Sequence, residues 1–273
     1  MKTTREKKSD QSIEIAQSNN NSTLTRECFQ NQKIQTDRFQ SIVTVESISR
    51  YYNILGNSRE NGTDIELNGC FAVRLALLLI DVISKGRFPV TKSGCFKKKF
   101  YNQCMNKASE DQLLDTIDDH ELFIIYTKQC LHLLRLSGIL RQSGGYAMIS
   151  DAGISGNSVY FRLFTAFWDK ADWEIIFPSD VDSARELKIN RNILKDLILK
   201  NYGKTRLDRV ANEFFDMTGF ACCNDLIMIS FLDFYFFTWL KHFNMILYTD
   251  GTAHAPVCIA VTDVGRKILN LVL

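Results

Sequence analysis

The chain has 273 residues, of which 45% are apolar and 23% charged, close to the average of soluble globular domains. This composition excludes a wholly disordered chain, a collagen and a coiled-coil rod, and the length allows about two domains. The net charge is +2, but residues 1–40 carry seven basic and five acidic side chains, so the remainder is neutral. A neutral folded part excludes bulk binding of polyanions, and any nucleic-acid site has to be a local patch.

The segment 1–40 is rich in Asn, Gln, Ser, Thr and Lys. It cannot offset its ordering entropy by burial, so it predicts a disordered polar tail without a secretory signal. The rest divides into an N-terminal helical region at 41–158 and a helical linker with a C-terminal unit at 159–273. Each of these two regions is predicted to hold one winged-helix-like unit.

Apolar periodicity predicts a mainly α protein with tandem winged-helix-like units and small β-hairpin wings. The predicted helices lie at 41–55, 70–84, 92–106, 120–137, 159–177, 184–203, 204–219 and 224–243, with a final short helix from Asp263. The most apolar stretch, Leu226–Leu240, spans about 22 Å as a helix, less than the ~30 Å of a membrane core. It predicts a buried helix and no membrane partner.

A short signature recurs three times: a helix ends, an apolar strand follows, and Ser/Thr-x-x-Gly opens the next helix. The three pairs are Thr91/Gly94, Ser150/Gly153 and Thr262/Gly265. A hydroxyl at this place is a good N-cap, and a glycine three residues later lets the helix start lie close to the strands. The alternative is that this pattern is only a common way to begin a helix.

Two of the three copies have a fuller context. Their preceding helices close at Gly138 and Asn244, the two residue types best able to adopt the left-handed conformation. Gly144-Gly145 and Asp250-Gly251 are then predicted to form hairpin turns. Helix, strand, turn, strand and helix make up the back half of a winged helix, whereas the first copy is predicted to be only a helix–turn–helix.

Several segments carry a resemblance to a known family: ALLLIDVISKGRFPVTKSGCFKKKF, HLLRLSGILRQSGGYAMISDAG, YFRLFTAFWDKADWEIIF, and the stretch from TWLKHFNMILYTDG to VCIAVTDVGRKIL. They are similar to the helical, winged-helix-like region of plasmid ORF-3-like proteins, which are passengers of insertion elements. The resemblance covers roughly 70–273 and departs from the family pattern at Cys95 and at Asp172-Trp173. It implies a fold and a mobile-element context but no activity.

Motifs of catalysis are missing from the sequence: it has no glycine-rich phosphate loop, no Gly-x-Ser-x-Gly and no His-Glu-x-x-His. Ser155 stands where a helix starts, which favours a cap or loop over a nucleophile. His254 and Cys258 lie four residues apart, but no second pair of ligands supports a metal site. The sequence therefore predicts no enzyme, metal or cofactor, and an enzyme of unrecognised type is the remaining alternative.

The eight cysteines include no Cys-x-x-Cys pair. An oxidised framework favours separated, partnered cysteines in a smaller chain, so they predict reduced thiols in a cytoplasmic protein. Most of them are expected to pack as small apolar side chains.

Charge is unevenly distributed in the first unit. Residues 85–107 contain seven basic side chains and no acid, and residues 110–121 contain six acids and no base. One interpretation is a helix that binds phosphate through Lys97–Lys99; the alternative is a solvated face neutralised by the acidic run. The predicted contacts to nucleic acid or another partner are Lys92, Lys97, Lys98, Lys99, Lys128, Arg135 and Arg141.

The sequence thus favours a non-catalytic binding or adaptor protein with DNA as a candidate partner. Helix 120–137 offers a polar face for a groove, whereas helix 224–243 suits core packing or a protein interface. The alternative function is assembly with another protein, or self-association, through apolar faces. Trp168, Trp173 and Trp239 are predicted to be buried.

Overall fold

The described part of the chain is mainly helical, with short strands in two small sheets. The computed structural model describes residues 69–114, 120–151, 153–178, 180–201, 203–219, 232–252 and 255–272. The helices are α1 (Phe71–Lys85), α2 (Lys98–Glu110), α3 (His120–Leu136), α4 (Gly156–Thr165), a π-helix (Ala166–Lys170), α5 (Trp173–Ile176), α6 (Val181–Lys200), α7 (Leu207–Thr218), a second π-helix (Asp233–Phe237), α8 (Thr238–His242) and α9 (Asp263–Leu269). The strands are β1 (Leu140–Ser143), β2 (Tyr146–Ile149), β3 (Lys204–Arg206), β4 (Ile246–Thr252) and β5 (Ala255–Val261).

The described residues all belong to a compact unit that spans Ile65–Leu273. The predictions for 1–40, for the helix at 41–55 and for His254 lie outside the described residues. Helix α1 confirms the prediction of a helix that is apolar on nearly every face, since its side chains are buried from Phe71 to Ile83 with few exceptions. It packs against α2, α3, α4 and β2, which places it at the centre of the first half of the unit.

The first half follows the order helix, strand, helix, helix, hairpin. After α1, the segment 88–90 pairs with β2: the Ala147 amide donates to the Phe88 carbonyl over 3.0 Å, and the Val90 amide donates to the Gly145 carbonyl over 2.9 Å. Helices α2 and α3 follow, and β1 and β2 then pair antiparallel. We call residues 71–149 the first repeat.

The second half has the same order. Helix α6 leads to β3, helix α7 follows, and the helical segment that ends with α8 leads into the antiparallel hairpin of β4 and β5. The sheet order is β3-β5-β4, so the first strand again pairs with the last. We call residues 181–261 the second repeat. The interpretation of three signature copies is therefore wrong: the segments around Thr91 and Gly138 are parts of a single repeat.

Both predicted left-handed helix ends are present. Gly138 has φ +75°, and the next amide, Ile139, donates to the Leu134 carbonyl over 3.0 Å. Asn244 has φ +55°, and the Met245 amide donates to the Leu240 carbonyl over 2.9 Å. These bonds satisfy the last carbonyls of each helix, as a Schellman motif does.

The predicted Ser/Thr-x-x-Gly cap is present in the third copy. The Thr262 hydroxyl accepts from the Gly265 amide over 2.9 Å and donates to the Asn244 carbonyl over 2.8 Å. A Cβ added at Gly265 would lie 2.0 Å from the Met245 carbonyl oxygen, so the helix start lies against the backbone of the residue that precedes β4.

The prediction of a helix cap is wrong for the other two copies. Ser150 does not cap a helix: its amide donates to the Ile139 carbonyl over 2.9 Å and closes the hairpin, while Ser155 is the cap of α4. Gly153 has no close strand neighbour, because a Cβ there would meet only the Asp151 side chain at 3.8 Å. Thr91 belongs to a turn rather than a helix start, and α2 begins only at Lys98.

Several predicted boundaries are also wrong. The aromatic helix at 159–177 is broken by the π-helix and by Asp172, whose carboxylate accepts from the Glu174 amide and caps α5. The helix predicted to close at Gly203 ends at Lys200, and residues 204–206 form β3 instead of a helix start. Thr252 pairs with Ala255, so Asp250-Gly251 lie within β4 and do not form the predicted turn.

An aromatic cluster fills the space between the repeats. The Phe167 ring lies 4.9 Å from that of Trp173 and 5.3 Å from that of Trp239. Trp168, Trp173 and Trp239 are 0%, 0% and 3% exposed, which confirms their predicted burial. The described end of the predicted helix at 224–243 is therefore core, and its aromatic face is not an outer surface.

Two hydrogen bonds tie the end of α8 to α4 and to the residue before α1. The Tyr160 hydroxyl donates to the Phe243 carbonyl over 2.9 Å, and the Cys70 thiol donates to the His242 carbonyl over 3.1 Å. The described cysteines are free thiols, and apart from Cys95 they are buried. Among the described helices, none has the length and apolarity needed to cross a membrane.

Candidate nucleic-acid interface

A tight loop between the segment 88–90 and α2 organises the basic residues of the first repeat. The Gly94 amide donates to the Thr91 carbonyl over 2.8 Å, and the Cys95 amide donates to the Thr91 hydroxyl over 3.0 Å. Gly94 has φ +78°, a conformation that favours glycine. Thr91 and Gly94 therefore build this loop, which presents the exposed side chain of Lys92.

The start of α2 concentrates positive charge. Lys97 is the N-cap residue and makes no side-chain cap, and the first turn contains Lys98 and Lys99 but no acid. These three lysines are exposed and make no ion pair with a described carboxylate. Because the N-terminus of a helix is its positive end, each such cation costs about 0.3–1 kcal/mol.

The helix that follows the first strand of the second repeat, α7, has a different distribution of charge at its start. Helix α7 has Asp208 in its first turn, and the Arg206 guanidinium lies 2.5 Å from its carboxylate. One turn later, Arg209 pairs with Glu213 over 3.0 Å. This helix start therefore places an acid at the positive end of the helix and is balanced in charge. The start of α2 has no acid in its first turn and carries only positive charge.

The neighbouring basic residues are partly neutralised. Lys85 lies 2.7 Å from Asp81, and Lys107 lies 3.0 Å from Asp111. Asp111 follows the last turn of α2, about 20 Å along the helix axis from Lys98. Within the acidic segment 110–121, Glu110 and Asp111 thus form ion pairs with Lys107. Residues 115–119 of this segment lie outside the described residues.

Arg135 holds the loop rather than standing free. Its guanidinium donates to the Gly94 carbonyl and lies 5.9 Å from the centroid of the Phe96 ring. Desolvation lowers the pKa of this half-buried guanidinium. Arg135 thus holds the loop through one of its five N–H donors, while its predicted contact to a nucleic acid or another partner stays a prediction.

Lys128 extends the basic surface onto α3. Its side chain is exposed, and its Nζ lies 6.0 Å from the centroid of the Tyr101 ring, one turn along α2 from Lys98. Hydrogen bonds from the Ser93 and Thr91 hydroxyls, and then the charges of Arg135 and Lys128, lower the pKa of the exposed Cys95 thiol. Loop and helix thus share one electrostatic surface.

We define the basic patch as the free lysines of this surface: Lys92, Lys97, Lys98, Lys99 and Lys128. Arg141 does not belong to it. Gln142 donates to the Thr91 carbonyl over 3.3 Å, so it faces the loop, and its neighbour Arg141 projects from the opposite face of the hairpin beside Met148. The sequence did not predict Tyr101 and Gln142 as members of the site. In the sequence, Tyr101 is marked only by its position close to Lys97–Lys98, and Gln142 only by its position close to Gly144-Gly145.

Of the candidate catalytic and metal residues, Ser155 and Cys258 lie in the part of the chain that the structure describes. The Ser155 hydroxyl accepts from the Ser158 amide over 3.3 Å, as an N-cap does. Cys258 is a buried thiol in β5, and within the described ranges no group of three His, Cys, Asp or Glu side chains could hold a metal ion.

No family model, curated protein or solved structure matches the chain.

Proposed function

We propose that this chain is a non-catalytic protein with two tandem winged-helix units, and that the first unit binds the phosphate backbone of DNA through the basic patch. The second unit serves to hold the first in place. The resemblance to insertion-element passengers adds a mobile-element setting to this proposal.

The element order supports the winged-helix assignment. Each repeat has a helix, a strand, two helices and a hairpin, and the first strand pairs with the last strand of the hairpin. In helix–turn–helix folds of this kind the third helix and its flanking elements face the duplex. In the first repeat these elements are α3, the hairpin β1–β2 and the start of α2.

The contrast between the two helix starts carries the proposal. At α7, Asp208 occupies the first turn and is paired, whereas α2 places Lys97, Lys98 and Lys99 at its positive end. Such a placement lowers stability, so it points to an external anion that compensates for it. Phosphate is the natural partner, because free amides at a helix N-terminus and lysines both bind it.

The competing function, assembly through apolar faces, loses its main support. It relies on the aromatic helix at 224–243, but Tyr235, Phe236, Trp239 and Phe243 are buried inside the molecule. The exposed large apolar residues of the described ranges come from different elements, among them Met148, Ile175, Met217 and Leu247. Single exposed apolar side chains are normal on soluble proteins.

The test is salt-dependent binding of the full chain to a labelled 20-base-pair duplex. About five lysines at phosphates predict a slope of roughly −4.5 in a plot of log affinity against log salt. A variant with Lys97, Lys98 and Lys99 changed to Glu is expected to bind more than about tenfold more weakly. The matched control changes the exposed Lys170, Lys200 and Lys267 to Glu and should bind within about twofold of the parent.

Thermal unfolding of the same triple variant provides an independent readout. Carboxylates favour the positive end of a helix, so the variant should unfold at the same or a higher temperature, with a gain of about 0.3–1 kcal/mol per site. Absence of binding by the parent at low salt would refute the proposal. So would an equal loss of binding in the control.

A further inference from the structure

We infer that the exposed face of α2 reads base edges in the major groove of DNA and that its side-chain amides select adenine. This inference rests on the proposed function and adds to it the element that reads the sequence. Asn and Gln side chains recognise adenine through two-point contacts to its N6 and N7 atoms. The distribution of such amides over the first repeat is therefore the feature to follow.

Helix α2 has one buried side and one polar side. Its buried residues are Phe100, Cys104 and Ala108. The exposed residues are Lys98, Lys99, Asn102, Gln103, Asn106, Ser109 and Glu110. At about 100° per residue they share an arc of roughly 140° opposite the core. The α2 amides, as we name Asn102, Gln103 and Asn106, therefore lie on the same face as two lysines of the basic patch.

The order of residues along α2 suits a helix that enters a groove. The lysines come first and the α2 amides follow over the next two turns. Lys98 and Asn106 are about 12 Å apart along the helix axis, close to the ~12 Å width of the major groove. Glu110, the one acid of α2, stands in the last turn and pairs with Lys107 over 3.5 Å. Lysines held at phosphates thus place the amides over base edges.

The α2 amides differ from the other amides of the first repeat in their hydrogen bonds. Within the described ranges, no side-chain hydrogen bond joins them to another residue. Gln129, the only amide of α3, donates to the Ile176 carbonyl over 2.7 Å. Gln142 in the hairpin donates to the Thr91 carbonyl over 3.3 Å. The α2 amides can therefore bind a base without giving up a contact inside the protein.

Arginines of the first repeat are the alternative readers, and they would select guanine. Arg141 is exposed on the hairpin, and Arg135 has donors besides the one that binds the Gly94 carbonyl. Arginine makes its two-point contact with O6 and N7 of guanine. The selected base therefore separates reading by the α2 amides from reading by these arginines.

The first experiment lets the full chain select its own site. The protein enriches a randomised 20-base-pair library, and its affinities for the consensus duplex and for a shuffled duplex of equal composition are compared at one salt concentration. The consensus is expected to hold adenine at two or three positions. It should bind about 100-fold more tightly than the shuffled duplex, since each two-point contact contributes about tenfold.

Alanine variants assign the reading to α2. Asn102→Ala and Asn106→Ala should each weaken binding to the consensus about tenfold and leave binding to the shuffled duplex unchanged, because the phosphate contacts remain. Alanine is the best helix former, so these variants fold. The matched control is Asn212→Ala, an exposed asparagine on α7 beside the acids of the second repeat, and it should change neither affinity.

A modified base tests the contact itself. In 7-deazaadenine a C–H replaces N7, so this base at a contacted position should cost the parent protein about tenfold in affinity. It should cost the matching alanine variant nothing further, because the contact is already absent. Losses that multiply at every position would overturn the inference.

The outcomes distinguish the two proposals. If no duplex binds at low salt, the proposed function fails and this inference fails with it. If all duplexes bind within about threefold of one another and no consensus emerges, the proposed function stands and the inference is overturned. A guanine consensus that Arg141→Ala abolishes also overturns it. An adenine consensus that the α2 variants abolish supports both.

Discussion

Gly138 shows how a single residue ends a helix. Its φ of +75° is strained for any residue with a Cβ, and most strained for a β-branched one. A Cβ there would meet nothing within 4 Å, so the cost of substitution is purely conformational. Gly138→Val is expected to lower the free energy of unfolding by about 1–2 kcal/mol, measured by urea denaturation.

Gly138→Asn is the matched comparison, because asparagine already adopts the left-handed conformation at Asn244 in the second repeat. It should cost clearly less than the valine substitution. Equal losses for the two variants would show that Gly138 matters for another reason than its backbone angle.

At the scale of elements, the Ser/Thr-x-x-Gly pattern predicts a close contact at the start of α9. The structure has this contact, between Gly265 and the backbone that follows α8. A Cβ at Gly265 would lie 2.0 Å from the Met245 carbonyl oxygen, and backbone cannot move aside easily. Gly265→Ala is expected to destabilise the protein by about 3 kcal/mol or more, by thermal or urea unfolding.

Gly153→Ala is the matched comparison, because Gly153 is the glycine of another Ser/Thr-x-x-Gly copy and the structure leaves room for a Cβ there. Its Cβ would meet only the Asp151 side chain at 3.8 Å, so the change should stay within about 0.5 kcal/mol. A comparable loss at both positions would contradict the difference between the two helix starts.

The element scale also explains the aromatic segment at 159–177. Its sequence reads as one helix, but the fold divides it into α4, a π-helix and α5. The Lys188 ammonium donates to the Phe167 and Trp168 carbonyls and satisfies acceptors that the break leaves open. Desolvation lowers the pKa of this lysine to about 7.

At the scale of the whole molecule, His242 joins the two repeats. Its ring lies 4.5 Å from that of Phe71 and 4.6 Å from that of Tyr126. Burial, and then the charge of Lys241, lowers its pKa to about 3. The Cys70 thiol beside it has its pKa raised to about 11 by burial and does not titrate in acid.

This arrangement predicts a loss of stability in acid. Unfolded histidine titrates near pH 6.5, so between about pH 6.5 and 3 the unfolded chain binds a proton that the folded chain does not. The contribution of His242 is therefore present above pH 6.5 and falls as the pH falls, by about 2.7 kcal/mol at pH 4.5. Urea unfolding at pH 7 and pH 4.5 measures it.

His242→Phe should remove this part of the acid sensitivity and keep the ring contacts. The parent is then expected to lose more stability than the variant between the two pH values. Parallel losses would mean that His242 is already accessible to protons in the folded protein.

Local features of this protein can be predicted from sequence because their causes are local. A left-handed glycine or asparagine after a helix, a hydroxyl cap at Thr262 and a Gly-Gly turn all depend on a few adjacent residues. The burial of the tryptophans follows from their apolar neighbours. The excess of lysine at 97–99 is visible in the same direct way.

Only the tertiary structure decided how these pieces combine. The segment 88–90 is a strand because β2, far along the chain, supplies its hydrogen bonds, and no local pattern announces such a partner. The same holds for Arg135, whose guanidinium donates to the Gly94 carbonyl, 41 residues away in the sequence. It also holds for Arg141, because the register of β1 and β2 places its side chain on the opposite face of the hairpin from Gln142. Long-range pairing sets which charges stay free, and the free charges define the site.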